Sequence, residues 1–259
     1  MKKFELTNEF ITNSYGVKLF RIKALIEFGN VKAGDLGGYI EKEENLSHMG
    51  DAWIYGDAQI SGNAQVFGDA QVFGNAWVFG DARVSGNAQV FGDAWVFGDA
   101  QVFGDAQVFG DAQVFGDAWV FGNAWVFGDA RVSGNARVSG NARVFGNARV
   151  FGNAWVSGNA RVSGDTQVFG DARVFGNAWV SGNARVSGDK DYAYAHGFGS
   201  CNRTTTFFRL KDGDVGVRCG CFYGTLAQFR DKVCETHGET KKAQEYLMLA
   251  DLMKLRFEK

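Results

Sequence analysis

The sequence predicts an all-β solenoid, a coil of short parallel strands closed at each end by a segment of different composition. Three observations predict it. A six-residue pattern, [D/N]-A-[Q/W/R]-[V/I]-[F/S/Y]-G, runs unbroken from Asp51 to Gly188 in 23 units. Positions two and four of the pattern barely vary, while three and five swap chemistry freely. The residues before Asp51 and after Gly188 do not follow it. A fixed short period means stacked units rather than an ordinary globular domain. The chain therefore divides into a head (1–50), a repeat (51–188) and a tail (189–259).

The head reads as a β cap. KFELTNEFIT and VKLFRIKALIEF are two strands around the turn signal NSYG. An open solenoid edge polymerises unless it is blunted, and a hairpin would blunt it. Ile40 and Leu46 lie six apart, with Gly38 two before Ile40, so a degenerate coil starts there. EKEE reads as a solvated loop. The opening MKKFELTNEF carries two lysines with no apolar run behind them, which does not read as a signal peptide.

In the repeat, position two is Ala in every unit except Thr166, and position four is always Val or Ile. A close-packed interior does not exchange Gln for Trp or Ser for Phe, whereas an outer face does. Positions two and four therefore point in, and three and five point out, the period-two alternation of a strand. Gly followed by Asp or Asn makes a corner, because these residues tolerate left-handed backbone. One six-residue side, with an aliphatic residue pointing inward and a small residue two before it, resembles the hexapeptide motif of left-handed parallel β-helices. The resemblance implies three sides per coil and nearly eight coils, roughly 37 Å long at the strand spacing of about 4.8 Å. A right-handed solenoid is the alternative.

With three sides per coil, units three apart stack. Position five of the first side then reads Tyr55, Phe73, Phe91, Phe109, Phe127, Phe145, Ser163, Ser181, an aromatic ladder over six coils. All seven Trp occupy the other outward position. Such ladders stabilise a thin rod by ring stacking, and a contiguous exposed apolar row also marks an association surface. Charge is uneven along the rod. Units 1–12 carry nine Asp against Arg83 alone, net −8; units 13–23 carry seven Arg against three Asp, net +4. These opposite ends would steer a partner or align rods.

The tail reads as a ββαα module. TTTFFRLKDGDVGVRCGCF is a hairpin turning at KDGD. Thr225 with Gln228 forms a capping box opening the helix LAQFRDKVCETH, which Gly238 closes. A second helix runs from about Thr240, with Ala243, Tyr246, Leu247, Ala250 and Leu255 as apolar positions. All four cysteines lie after residue 200, so none staples the coil, and a reduced, cytoplasmic setting is the simplest reading.

The head string VKAGDLGGYIEKEENLSHMGDAWIYGDA and the tail string GSCNRTTTFFRLKDGDVGVRCGCFYGTLAQFRDKVCETHG resemble a family of bacterial and phage or prophage hexapeptide-repeat proteins. Its members carry labels such as acetyltransferase or polymer-forming protein. The resemblance implies a left-handed β-helix of mobile-element origin, without a demonstrated activity.

Hexapeptide acyltransferases use a histidine as general base, a group that titrates near neutral pH. Here His48 precedes the first unit, His196 follows the last, and His237 lies in the tail. None is within the repeat, so His48 and His196 are weak catalytic candidates. Cys219, Cys221, Cys234 and His237, with Cys201 as a fifth, are weak zinc candidates, since C-x-C is shorter than the common zinc spacing. No cofactor is expected. Arg interleaved with aromatics, as at Trp125, Arg143, Arg161 and Trp179, would hold single-stranded nucleic acid, and the acidic half would imitate DNA charge.

The reading that follows is a non-enzymatic rigid scaffold or protein-interaction protein. Its docking residues are Phe73, Phe91, Phe109, Phe127, Phe145, Trp125 and Arg143, which take a protein partner or a second copy. Net charge near zero argues against nucleic acid as the partner, and with no apolar run long enough to span it, no membrane is expected. An uninterrupted repeat leaves no loop to shape a small-molecule pocket. A hexapeptide-class acyltransferase is the alternative, with a charge-patterned nucleic-acid binder or DNA mimic second.

Overall fold

A computed structural model of the protein describes residues 1–198 and 203–258. Strands recur every six residues from Trp53–Ile54 to Arg185–Val186. Each pairs in parallel with the strand 18 residues away, as Gln89 with Gln107 and Trp95 with Gln113, so three units complete one coil. The result is a parallel β-solenoid of about eight turns. Side one is the eight-stranded sheet that starts at Trp53–Ile54 and ends at Trp179–Val180. Side two starts at Gln59–Ile60, and side three at Gln65–Val66.

Alternation places the core as the sequence implies. Every position-two Ala and position-four Val or Ile of the repeat is buried. Gln89 N–H donates to Ala106 O at 2.9 Å and Phe91 N–H to Val108 O at 3.0 Å, a pattern that recurs coil after coil. Corner side chains form a second lattice on the edges. Asn75 Nδ2 donates to Asp93 Oδ1 at 3.0 Å, and Asn141 Nδ2 to Asn159 Oδ1 at 3.1 Å.

This bonding has a direction: each coil donates its N–H groups to the carbonyls of the next. The first coil is left with unpaired carbonyls and the last with unpaired N–H groups. Both would be costly if buried and polymerising if exposed. The head supplies donors. Lys3 Nζ reaches Gly50 O and Ala52 O, Tyr39 N–H reaches Ala58 O, and Asn45 Nδ2 reaches Gly62 O and Ala64 O. The tail supplies acceptors: Thr206 Oγ1 takes Trp179 N–H at 2.9 Å and Asp189 Oδ1 takes Arg173 N–H at 3.0 Å.

The head hairpin is present, Phe4–Thr12 against Lys18–Ala24. The strand Leu36–Ile40 then joins side two in parallel, Ile40 facing Ile60, and Leu46 bridges Val66. The degenerate coil therefore starts where Gly38, Ile40 and Leu46 place it.

The tail departs from ββαα. Four antiparallel strands, Tyr192–Phe198, Arg203–Arg209, Val215–Cys219 and Phe222–Thr225, precede α1 (Leu226–His237) and α2 (Lys241–Phe257). The two outer strands were not read from the sequence: FYGT is only four residues long, and YAYAHGF carries His196 and Gly197 at its end. Their partners on the predicted hairpin supply the pairing. The capping box forms, Gln228 N–H donating to Thr225 Oγ1 and the Gln228 side chain accepting Thr225 N–H. In α2 the buried face is Ala243, Tyr246, Ala250, Met253 and Phe257, whereas Leu255 is exposed. Among the described residues no helix is long and apolar enough to cross a membrane.

Candidate docking face

Side one carries the ladder. Phe73, Phe91, Phe109, Phe127 and Phe145 stack with successive centroids 4.7 to 5.0 Å apart and interplanar angles of 4° or less. The spacing is that of the strands, so the backbone enforces the stacking. Each ring covers its neighbours' faces and leaves its edge outward, and all five are half-buried. Phe67, whose next rung is Ser85, has no such neighbour and is 38% exposed. Stacking and outward display therefore coexist in the same rings.

Beside this ladder run the position-three residues. Gln107 Nε2 donates to Gln89 Oε1 at 3.4 Å. Trp125 stands edge-on to Phe109, 6.2 Å between centroids, and the Arg143 guanidinium lies 4.7 Å from the Trp125 ring centroid. The structure thus brings all seven predicted docking residues onto one sheet.

Side two carries a second ladder, Phe79, Phe97 and Phe115, flanked by stacked Trp77 and Trp95. The head hairpin already covers its first rungs, since Tyr15 packs on Trp77 and Phe79. On side one the first Trp is covered instead. Trp53 is fully buried beneath Phe4 and Phe28. An outward position in the repeat is thus an inward one under the cap, a correction to the reading of all seven Trp as outward. Ser139 and Ser163 are also buried, each accepting an indole N–H from the next coil, Trp155 at 2.9 Å and Trp179 at 3.0 Å. The Ser–Trp spacing of 16 residues was the available signal.

The histidine candidates lie at opposite ends. His48 accepts Lys3 N–H at Nδ1, so Nε2 carries the proton toward Glu43 Oε1 at 2.7 Å, and Phe4 stacks on the ring. The hydrogen bond from His48, with the one from Lys2, holds the Glu43 carboxyl below its ordinary value. His196 is exposed on the first tail strand, with Nδ1 2.9 Å from Thr204 Oγ1. Both rings are tied into the caps.

In the tail a cavity of about 270 Å³ is lined by Cys219, Cys221, His237 and Tyr246 among others, while Cys234 is exposed outside it. Cys219 accepts from Thr205 Oγ1, and the His237 ring stacks on Tyr246. Among the described residues no three His, Cys, Asp or Glu side chains gather to hold a metal ion. Cys201 lies outside the described residues.

Six stretches of the coil match the family model of the YdcK beta solenoid repeat: residues 58–74, 70–86, 130–144, 142–158, 154–168 and 166–182. The chain is similar to that family in its coil. The matches cover neither head nor tail. No curated protein matches the chain. A β-solenoid repeat of this kind fits a structural scaffold.

Proposed function

We propose that the protein is a non-enzymatic scaffold that pairs with a second copy of itself through the side-one ladder, the two rods antiparallel. The observation that carries this reading is the flat row of five stacked phenylalanines along side one, between the cap-covered Trp53 and Trp179 at its two ends. Charge chooses the partner and its direction. Coils repeat every 18 residues, so a two-fold axis through the Phe109 rung sets Phe73 against Phe145 and Phe91 against Phe127. The same axis brings Arg143 to the coil of Asp69. The basic half of each copy then faces the acidic half of the other, which favours encounter and fixes register. Free thiols at Cys219, Cys221 and Cys234 support a reducing, cytoplasmic setting. A phage or prophage origin belongs to the same reading and rests on the head and tail strings alone.

The test is the solution mass by light scattering, for the wild type and for a variant with Phe73, Phe91, Phe109 and Phe127 changed to Ser. The repeat accepts Ser at position five, so the coil survives, at a cost of about 2.5–7.5 kcal/mol for five lost ring pairs, Trp125 on Phe109 included. The expected result is a wild-type dimer and a folded, monomeric variant. A wild-type monomer would overturn the proposal.

A further inference from the structure

Where the last coils meet the tail sheet, a cleft of about 370 Å³ is lined by Asn159, Arg161, Asn177, Trp179, Arg203 and Arg218, with Thr204 and Gly220. Three guanidiniums converge there, and none of the lining residues is acidic. Two of them use the Trp179 indole as a platform, Arg218 at 3.9 Å and Arg161 at 5.3 Å from its centroid. None of the three pairs with a carboxylate among the described residues. Arg218 Nε is shielded from solvent and has no hydrogen-bond partner among the described residues. The Asn159 amide is spent on Asn177 Oδ1, which leaves the Asn177 NH₂ group as a further donor at the rim. Arginine cannot shed its charge by deprotonating. Three such charges in a concave, carboxylate-free cleft raise the local positive potential and call for an anion.

We propose that this cleft binds a phosphoryl group, held by Arg161, Arg203 and Arg218, with Asn177 donating beside them. Planar guanidiniums match the tetrahedral oxyanion by paired N–H donors. The group comes either from a small phosphorylated molecule or from the backbone of a single strand laid along Arg143 and Arg161, and the chemistry of capture is the same. The cleft draws on the tail as well as the coil, so it does not depend on pairing of two rods.

The test is calorimetric titration of the full chain with inorganic pyrophosphate at low salt, beside fluorescence anisotropy with a labelled ten-residue oligothymidylate. Arg203→Gln and Arg161→Gln each weaken pyrophosphate binding roughly tenfold, the worth of one charge-assisted contact. Arg131→Gln, on side two, leaves it unchanged. Oligonucleotide binding that pyrophosphate displaces identifies the phosphodiester source; pyrophosphate binding without it identifies the small ligand. No saturable pyrophosphate binding, or an equal loss in Arg131→Gln, overturns the proposal. Arg203→Gln is expected to leave the solution mass unchanged, which separates failure here from failure of the pairing.

Discussion

Gly98 shows what position six of the unit demands. Its φ is +69°, and a Cβ there would meet the Gly116 amide nitrogen at 3.0 Å. Left-handed backbone and the contact between stacked corners both exclude a side chain, so the glycine cannot drift as positions three and five do. Gly188 ends the last unit in extended backbone, φ −163°, with open space where a Cβ would stand. Gly98→Ala is therefore expected to destabilise the coil by about 1–3 kcal/mol, the cost of a non-glycine residue in that region. Gly188→Ala should stay within about 0.5 kcal/mol of the wild type. Thermal or denaturant unfolding of the two variants decides it, and equal effects would sink the argument. At this scale the sequence was readable, because variation itself marked what each position tolerates. Ser139 and Trp53 did not show in that variation, since their burial depends on neighbours 16 residues on or in another segment.

The caps act through the polarity of the coil, and the head cap has a titratable member. Lys3 is 1% exposed, with Nζ on Gly50 O and Ala52 O. Burial lowers its pKa from 10.5 to about 8, against a smaller opposing pull from Asp51 and Asp69. Between those two pH values the unfolded chain keeps the proton and the folded chain has lost it. Stability therefore rises with pH across that window, by up to about 1.4 kcal/mol per unit. The neutral amine still has two N–H donors for its two carbonyls. Lys3→Met removes both the titration and the donors, and leaves Ala52 O unsatisfied at a cost of about 1–3 kcal/mol. Denaturant unfolding of both proteins at pH 7.5, 9 and 10.5 should show the gap between them widening upward; a constant gap would rule out the titration. The head hairpin and α1 were legible from turn and capping residues such as Thr225 and Gln228. The role of Lys3 was not, because it comes from the direction in which the coil donates its hydrogen bonds. The tail's outer strands, such as Phe222–Thr225, likewise needed their partners to be seen.

For the whole molecule, the 18-residue coil has a consequence that a six-residue unit alone does not. Deleting residues 93–110 removes one full coil. The chain rejoins in phase, the rod shortens by about 5 Å, and side one reads Phe73, Phe91, Phe127, Phe145 without a break. Deleting residues 93–98 removes only one side. Val still stacks on Val and Gly on Gly, so the coil also folds, because each unit contacts only its neighbours. But every later unit moves round by one side. After Phe91 the first side then continues with Phe115, Ser133 and Phe151, so the ladder is interrupted. Arg143 leaves that face, and Arg131 takes its place beside Ser133. Both deletions should give the far-ultraviolet circular dichroism of the parent and cooperative unfolding, with somewhat reduced stability. Only the in-phase deletion should keep the dimer mass in light scattering. If the six-residue deletion also dimerises, the ladder is a stacking device within the rod, and pairing uses another face. If the in-phase deletion alone fails to fold, the coil is not the modular stack of 18-residue turns that Gln89 paired with Gln107 implies.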